Sequence, residues 1–142
     1  MSTDTEITRP LILVGADGSE ESAKAAVWAA EQARVTGGTL DLVIVWARPT
    51  SYGLPLVVGG YDPEKEAQDV VAKFAAEIDL PAERVRISVV NGAAPAVLVD
   101  RSADADLLVV GSRGHGGFAE LLLGSVSDHV VHHANCPVVV IR

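Results

Sequence analysis

Short apolar runs alternate with helix-periodic segments along this chain, and that alternation constrains the fold more than any other feature. Leu11 to Val14 is a compact apolar run that reads as a first strand. A helix follows, with Ala23, Ala26, Val27, Ala30 and Ala33 at helical spacing. Asp17, Gly18 and Ser19 are its candidate caps, and Gly37-Gly38 stops it. Leu40 to Trp46 is a second strand. Ala47 to Asp62, rich in Pro and Gly, exceeds the usual connection length and reads as an irregular loop, a lid or simply a mobile connection. Pro63 suits a first helical turn, and Ala67, Val70, Val71, Phe74 and Ile78 form one apolar face. Val85, Ile87 and Val89 alternate with Arg84, Arg86 and Ser88, the pattern of a third strand with a wetter face at an edge. A short helix from Pro95 to Ser102, a fourth strand from Leu107 to Val110, a helix from Val126 to His133 and a fifth strand from Pro137 to Ile141 complete the chain. Such β-α alternation implies an α/β domain: one open parallel sheet, Rossmann-like, with helices on both faces. Residues 1–9 read as a flexible tail and residues 10–142 as the single domain.

The stretch Leu107 to Ser127, LLVVGSRGHGGFAELLLGSVS, concentrates the chemistry. A strand runs into a glycine-rich loop, and a helix starts after Gly124, where Ser125 or Ser127 can cap it. Free N–H groups at a helix start, together with the helix dipole, favour an anion. The same glycines also suit a tight turn, and the residues alone leave both readings open. No Lys follows a glycine in the Gly-Lys-Ser/Thr arrangement of a Walker loop. Gly114, Gly116 and Ala119 match the loose dinucleotide fingerprint, but no acidic residue follows at the ribose-holding distance. If the first and fourth strands are neighbours where the strand order reverses, the Asp17 turn and the glycine loop face one crevice.

Charge bears on the partner class. Eleven Lys and Arg stand against 19 Asp and Glu, a net charge of -8, and no basic run occurs. Nucleic acid and anionic membrane are therefore poor partners, and a polyanion must be held by local donors. The single cysteine, Cys136, excludes an internal disulfide and fits a reducing compartment. The opening MSTDTEITRP lacks the apolar core of a secretory signal, and no apolar run approaches the roughly 20 residues of a membrane span. The expected location is cytoplasmic. His129, His132 and His133 lie at i, i+3 and i+4 with Cys136 beyond, a spacing that suits a metal or, equally, a helix C-terminus that favours cations. No metal site is assigned from sequence. No G-x-S-x-G occurs, and Ser125 and Ser127 have no His-Asp constellation, so no catalytic residue is assigned either.

Gly111-Ser112-Arg113-Gly114, nine residues, then Gly124-Ser125 resembles the G-x2-G-x9-G-[S/T] signature of the ATP-binding branch of the universal stress protein family. Val14 to Ser19 resembles the family's opening strand and aspartate turn, and Cys136 to Ile141 its closing strand. The resemblance implies a five-stranded sheet of order 3-2-1-4-5 and ATP as ligand, with Mg2+ as companion. It implies that Gly15, Ala16 and Asp17 lie at the adenosine end, Asp17 toward the ribose, and that Val45 meets adenine through its backbone. Val110, Gly111 and Gly114 then approach ribose and phosphates, with Arg113 and His115 as loop neighbours. Gly124, Ser125, Val126 and Ser127 meet the phosphates. It also implies a homodimer through the last strand, with Val138 and Val140 in the seam. Three functions follow from these readings: a nucleotide-dependent stress regulator, a slow ATPase or autophosphorylating protein, and a nucleotide-free dimeric interaction module. AMP or a cyclic nucleotide suits the same crevice.

Overall fold

A computed structural model describes residues 9–47, 50–55, 59–60, 62–113 and 123–142. The elements are β1 (Leu11–Ala16), α1 (Glu20–Thr36), β2 (Thr39–Trp46), β3 (Thr50–Ser51), β4 (Leu54–Pro55), α2 (Pro63–Glu77), a 3₁₀ turn (Ala82–Arg84), β5 (Val85–Asn91), α3 (Ala94–Ser102), β6 (Leu107–Gly111), α4 (Ser125–His133) and β7 (Val138–Ile141). The main sheet has the order β5-β2-β1-β6-β7, and every pairing in it is parallel. Counting only these five strands, that is the expected 3-2-1-4-5. The tail expectation covers residues 1–9, of which 1–8 lie outside the described residues.

Two apolar layers hold the sheet, because successive strand residues point to opposite faces. On one face Ile12, Val14, Leu40, Leu42, Ile44 and Val109 pack under α1 and α2, against Ala25, Ala26, Ala29, Ala33, Ala67 and Phe74. On the other face Leu13, Val43, Leu108 and Val110 pack with Leu98 of α3 and Val130 of α4. Alanines dominate the buried stripe of α1, so its backbone lies close to the sheet. One close approach is at Gly111. A Cβ there would stand 2.9 Å from the backbone carbon of Glu21 and 3.0 Å from the Ser22 nitrogen.

Helix ends are secured locally where the sequence supplies caps. Ser19 is the N-cap of α1, its Oγ accepting the Ser22 N–H, and Gly37 closes the helix at φ 71°. Arg84 adds a long-range cap: its Nε donates to the Gly38 carbonyl at 2.8 Å and its Nη2 to Ala33 O. Asp62 caps α2 by accepting the Lys65 N–H.

Three expectations need correction. Val27, one of the apolar residues at helical spacing in α1, is 57% exposed, since the buried stripe runs through Ser22, Ala25, Ala26, Ala29 and Ala33. The connection read as irregular contains a small antiparallel hairpin, β3–β4, turning through Tyr52 and Gly53, both at positive φ. The N-cap of α4 is Gly124, and neither Ser125 nor Ser127 caps it with a side chain.

One charge sits inside the strand layer. Asp41 on β2 is 4% exposed, and its Oδ2 lies 3.6 Å from both Arg86 and Arg101. Its Oδ1 has no hydrogen-bond partner. Burial pushes this carboxyl above its ordinary range, and the Arg86 and Arg101 guanidiniums pull it partly back.

Gly111→Ala is expected to cost about 1–3 kcal/mol by overpacking the α1–β6 contact. The midpoint of urea unfolding reports it, and an unshifted midpoint would mean that α1 retreats without cost. Asp41 has a pH signature. As pH falls from neutral, the folded state takes up the proton first, so the penalty of the buried charge fades until the unfolded carboxyl, near 3.9, also titrates. Wild type should therefore gain stability relative to Asp41→Asn between pH 7 and about pH 4.5. Urea unfolding of both proteins at the two pH values measures this; a constant difference would refute the raised native value.

Candidate functional site

The strand order reverses at β1, whose neighbours are β2 on one side and β6 on the other. At this point the chain leaves adjacent strands toward opposite faces of the sheet, α1 after β1 and the turn toward α4 after β6. A cleft of about 740 Å³, open to solvent, lies at the carboxyl ends of these strands. Gly15, Ala16 and Asp17 line it from the end of β1, Val45 from β2, and Val110, Gly111 and Arg113 from the end of β6. Gly124, Ser125, Val126 and Ser127 line it from the start of α4. Eleven of the residues singled out in the sequence thus share one cleft. The other two, Gly114 and His115, lie outside the described residues.

Each wall has a distinct character. Val43, Val45, Leu98 and Val110 make an apolar slot. The cleft also takes in two helix starts without side-chain caps. At α4 the N–H groups of Ser125, Val126 and Ser127 precede the first intrahelical bond, Asp128 N–H to Gly124 O at 2.9 Å. At α3 the cap position is Ala93, which offers no side-chain acceptor, and Ala94 reaches the cleft. In α1, by contrast, Ser19 already occupies the Ser22 N–H. Unclaimed donors are therefore found at the two helices on one side of the cleft.

The side chains around the cleft are held by their own bonds. Asp17 Oδ1 accepts the Ser19 N–H at 2.8 Å, and the Asp17 N–H donates to Ser22 Oγ at 3.3 Å. This Asx turn fixes the exposed carboxylate at the mouth. Arg113 Nη2 lies 3.9 Å from Glu21 Oε1 in the first turn of α1, a loose and partly exposed pair. Ser127 is 2% exposed, and its hydroxyl lies 2.8 Å from Ser112 O and 3.0 Å from Gly124 O. Its side chain is thus engaged with the frame, and its backbone N–H is what it offers the cleft. Asp17 and Arg113 are the ionisable side chains among the described lining residues. Among the described residues no group of three or more His, Cys, Asp or Glu is placed to hold a metal.

Sequence reasoning missed Ser19, Ser22, Val43, Ala94 and Leu98, all of which line the cleft. Ser19 was weighed only as a cap, and Leu98 only as core. Gly15 also gains a packing role: a Cβ there would come 2.7 Å from Leu98 Cδ1.

Comparison with known proteins follows this geometry. The profile of the Universal stress protein family matches residues 10–142. A universal stress protein of Mycobacterium bovis is 37% identical over 139 residues, 92% of this chain and 45% of the relative. One of Mycobacterium tuberculosis is 33% identical over 146 residues, 100% of this chain and 52% of the relative. The chain spans about half the length of these relatives. A crystal structure of a universal stress protein in complex with cAMP superposes with a TM-score of 0.68 at 25% identity, covering 95% of this chain and 98% of the other.

Ser127→Ala removes a buried hydroxyl from the Ser112 carbonyl and should cost about 1 kcal/mol. Thermal unfolding measures this, and a cost near zero would mean that the Gly124 N–H alone satisfies that carbonyl.

Proposed function

This chain belongs to the universal stress protein family, and from that premise we propose that it binds an adenine nucleotide as a member of the ATP-binding branch and acts as a nucleotide-dependent regulator in the stress response. The observation that carries the reading is the pairing of an apolar slot with the uncapped start of α4 in one cleft. Adenine fits the slot between Val43, Val45 and Leu98; phosphates fit the N–H groups of Ser125, Val126 and Ser127. Asp17 stands at the mouth, where a ribose hydroxyl would meet a carboxylate acceptor. Arg113, and Gly114 and His115 by resemblance, belong to the phosphate side. An acidic chain needs such a local device, because its overall field repels a polyanion. The cAMP complex of a structural neighbour supports an adenine nucleotide as the ligand class.

ATP is the nucleotide we assign, since three phosphates engage more of the helix start than one. Mg2+ would ride chiefly on the phosphates, for Asp17 is the one carboxylate among the described lining residues. The same scarcity of bases makes this a binding protein rather than an efficient ATPase. The protein works as a cytoplasmic homodimer in this reading. Its seam is β7, a strand at the sheet edge whose Val138, Val139, Val140 and Ile141 are all partly exposed. Among the described residues no helix is long and apolar enough to cross a membrane.

Isothermal titration with ATP, ADP, AMP and cAMP tests the proposal. ATP should bind at one per chain and more tightly than AMP. Ser125→Glu puts a carboxylate at an exposed first-turn position, where it favours the helix but opposes phosphate; it should keep the fold and weaken ATP about tenfold or more. Asp17→Ala should weaken all four nucleotides alike. No binding of any nucleotide would overturn the reading, and ATP affinity unchanged in Ser125→Glu would remove α4 from the site.

A further inference from the structure

The far half of α4 carries a second cluster that the nucleotide cleft does not use. His129 and His133 are four residues apart on one helix, and both are exposed. Their imidazole rings stand together, with centroids 4.5 Å apart and planes 38° to one another. His132 is turned elsewhere: its Nδ1 lies 2.8 Å from Asp128 O and 3.7 Å from Asp128 Oδ1. The cluster therefore resolves into one close, tilted pair and one histidine engaged with its own helix.

We propose that His129 and His133 form a two-histidine site for a borderline divalent transition cation of the Ni2+, Cu2+ or Zn2+ class. Two imidazoles at i and i+4 on a helix present neighbouring nitrogens on one face, the arrangement by which helices chelate such ions. The observed spacing matches this chemistry. An ion about 2.0 Å from one nitrogen of each ring, in line with the ring centres, subtends an angle of about 90° when the centroids are 4.5 Å apart. That angle is the cis angle of square or octahedral coordination. A tetrahedral ion held in the same way would need the rings about 0.7 Å further apart, so the spacing ranks Ni2+ and Cu2+ above Zn2+. Hard oxygen-seeking ions such as Mg2+ and Ca2+ do not suit imidazole pairs.

Three features favour the pair over a chance neighbourhood. The ring centroids already stand 4.5 Å apart, so binding brings together groups that are already close. The pair lies in the second half of a nine-residue helix, where the dipole favours positive charge. An ion bridging positions four apart would also staple the last turn, so metal should stabilise the fold in proportion to its occupancy. Water completes the coordination shell. The ligands must be neutral imidazoles, so binding releases protons where they were protonated and weakens in acid. The site is independent of the nucleotide reading, because none of its residues lines the cleft.

Titration of the purified, tag-free full chain with NiCl2 at neutral pH, followed by calorimetry and native mass spectrometry, tests the site. The expected result is one Ni2+ per chain and a rise in melting temperature with added Ni2+. His129→Gln and His133→Gln should each weaken binding about tenfold or more, because either change converts a two-point ligand to a one-point ligand. His132→Gln should leave affinity within about twofold. All three positions are exposed, and circular dichroism verifies that each variant retains the wild-type fold. Equal loss in His132→Gln, half an ion per chain, or binding unchanged in the His129→Gln/His133→Gln double variant would overturn the proposal. MgCl2 giving the same heat and melting shift as NiCl2 would overturn it too.

Discussion

One carbonyl group holds the site together. Ser112 follows β6, and its N–H donates to Ile141 O at 2.6 Å, fastening β7 at the edge of the sheet. Its own oxygen accepts the Gly124 N–H at 2.6 Å and faces the Ser127 hydroxyl at 2.8 Å. The end of β6, the start of α4 and the last strand are thus tied at a single buried residue. The direction in which α4 presents its first-turn N–H groups is tied to that junction.

Small residues do the complementary work of bringing helices close. Gly111 admits the first turn of α1, and Gly15 admits Leu98 of α3. These two glycines flank the reversal point from opposite faces of the sheet. Their packing role explains them without any ligand, and the cleft exists because they let both helix layers approach. Gly111 of the signature and Gly15 of the opening strand build the walls against which a ligand would rest.

Much of the fold was legible because strands and helices here have different apolar periods. The central runs Leu11 to Val14 and Leu107 to Val110 are near-continuous, as doubly covered strands are, and the alternation from Val85 to Val89 marked the edge strand β5. Periodicity was least informative on α1, where alanines occupy several faces and no phase stands out; Val27 shares their helical spacing yet stands on the exposed face. Asp41 was hidden in the run TLDLVIVW, because its partners Arg86 and Arg101 come from β5 and α3 and only tertiary structure assembles them. At the cleft, residues next to the glycine signature were readable in order. Ala94 and Leu98 were not, since their contribution depends on where α3 lies behind β1. The family profile accounts for the architecture, while the state of each hydroxyl and carboxylate had to come from the bonds themselves.

The strand order also has a consequence for how the chain is made. β1 sits at the middle of the sheet, yet only one of its two neighbours, β2, follows soon after it. The other, β6, is encoded about a hundred residues later, and the Leu11 N–H finds its partner Asp106 across a separation of 95 positions. On a ribosome β1 emerges before β6 and keeps one bare edge until about a hundred further residues have followed. During that interval it resembles an unprotected edge strand, the kind of surface that recruits other chains. The finished sheet pairs β1 on both edges; the nascent one leaves that same strand half-paired the longest.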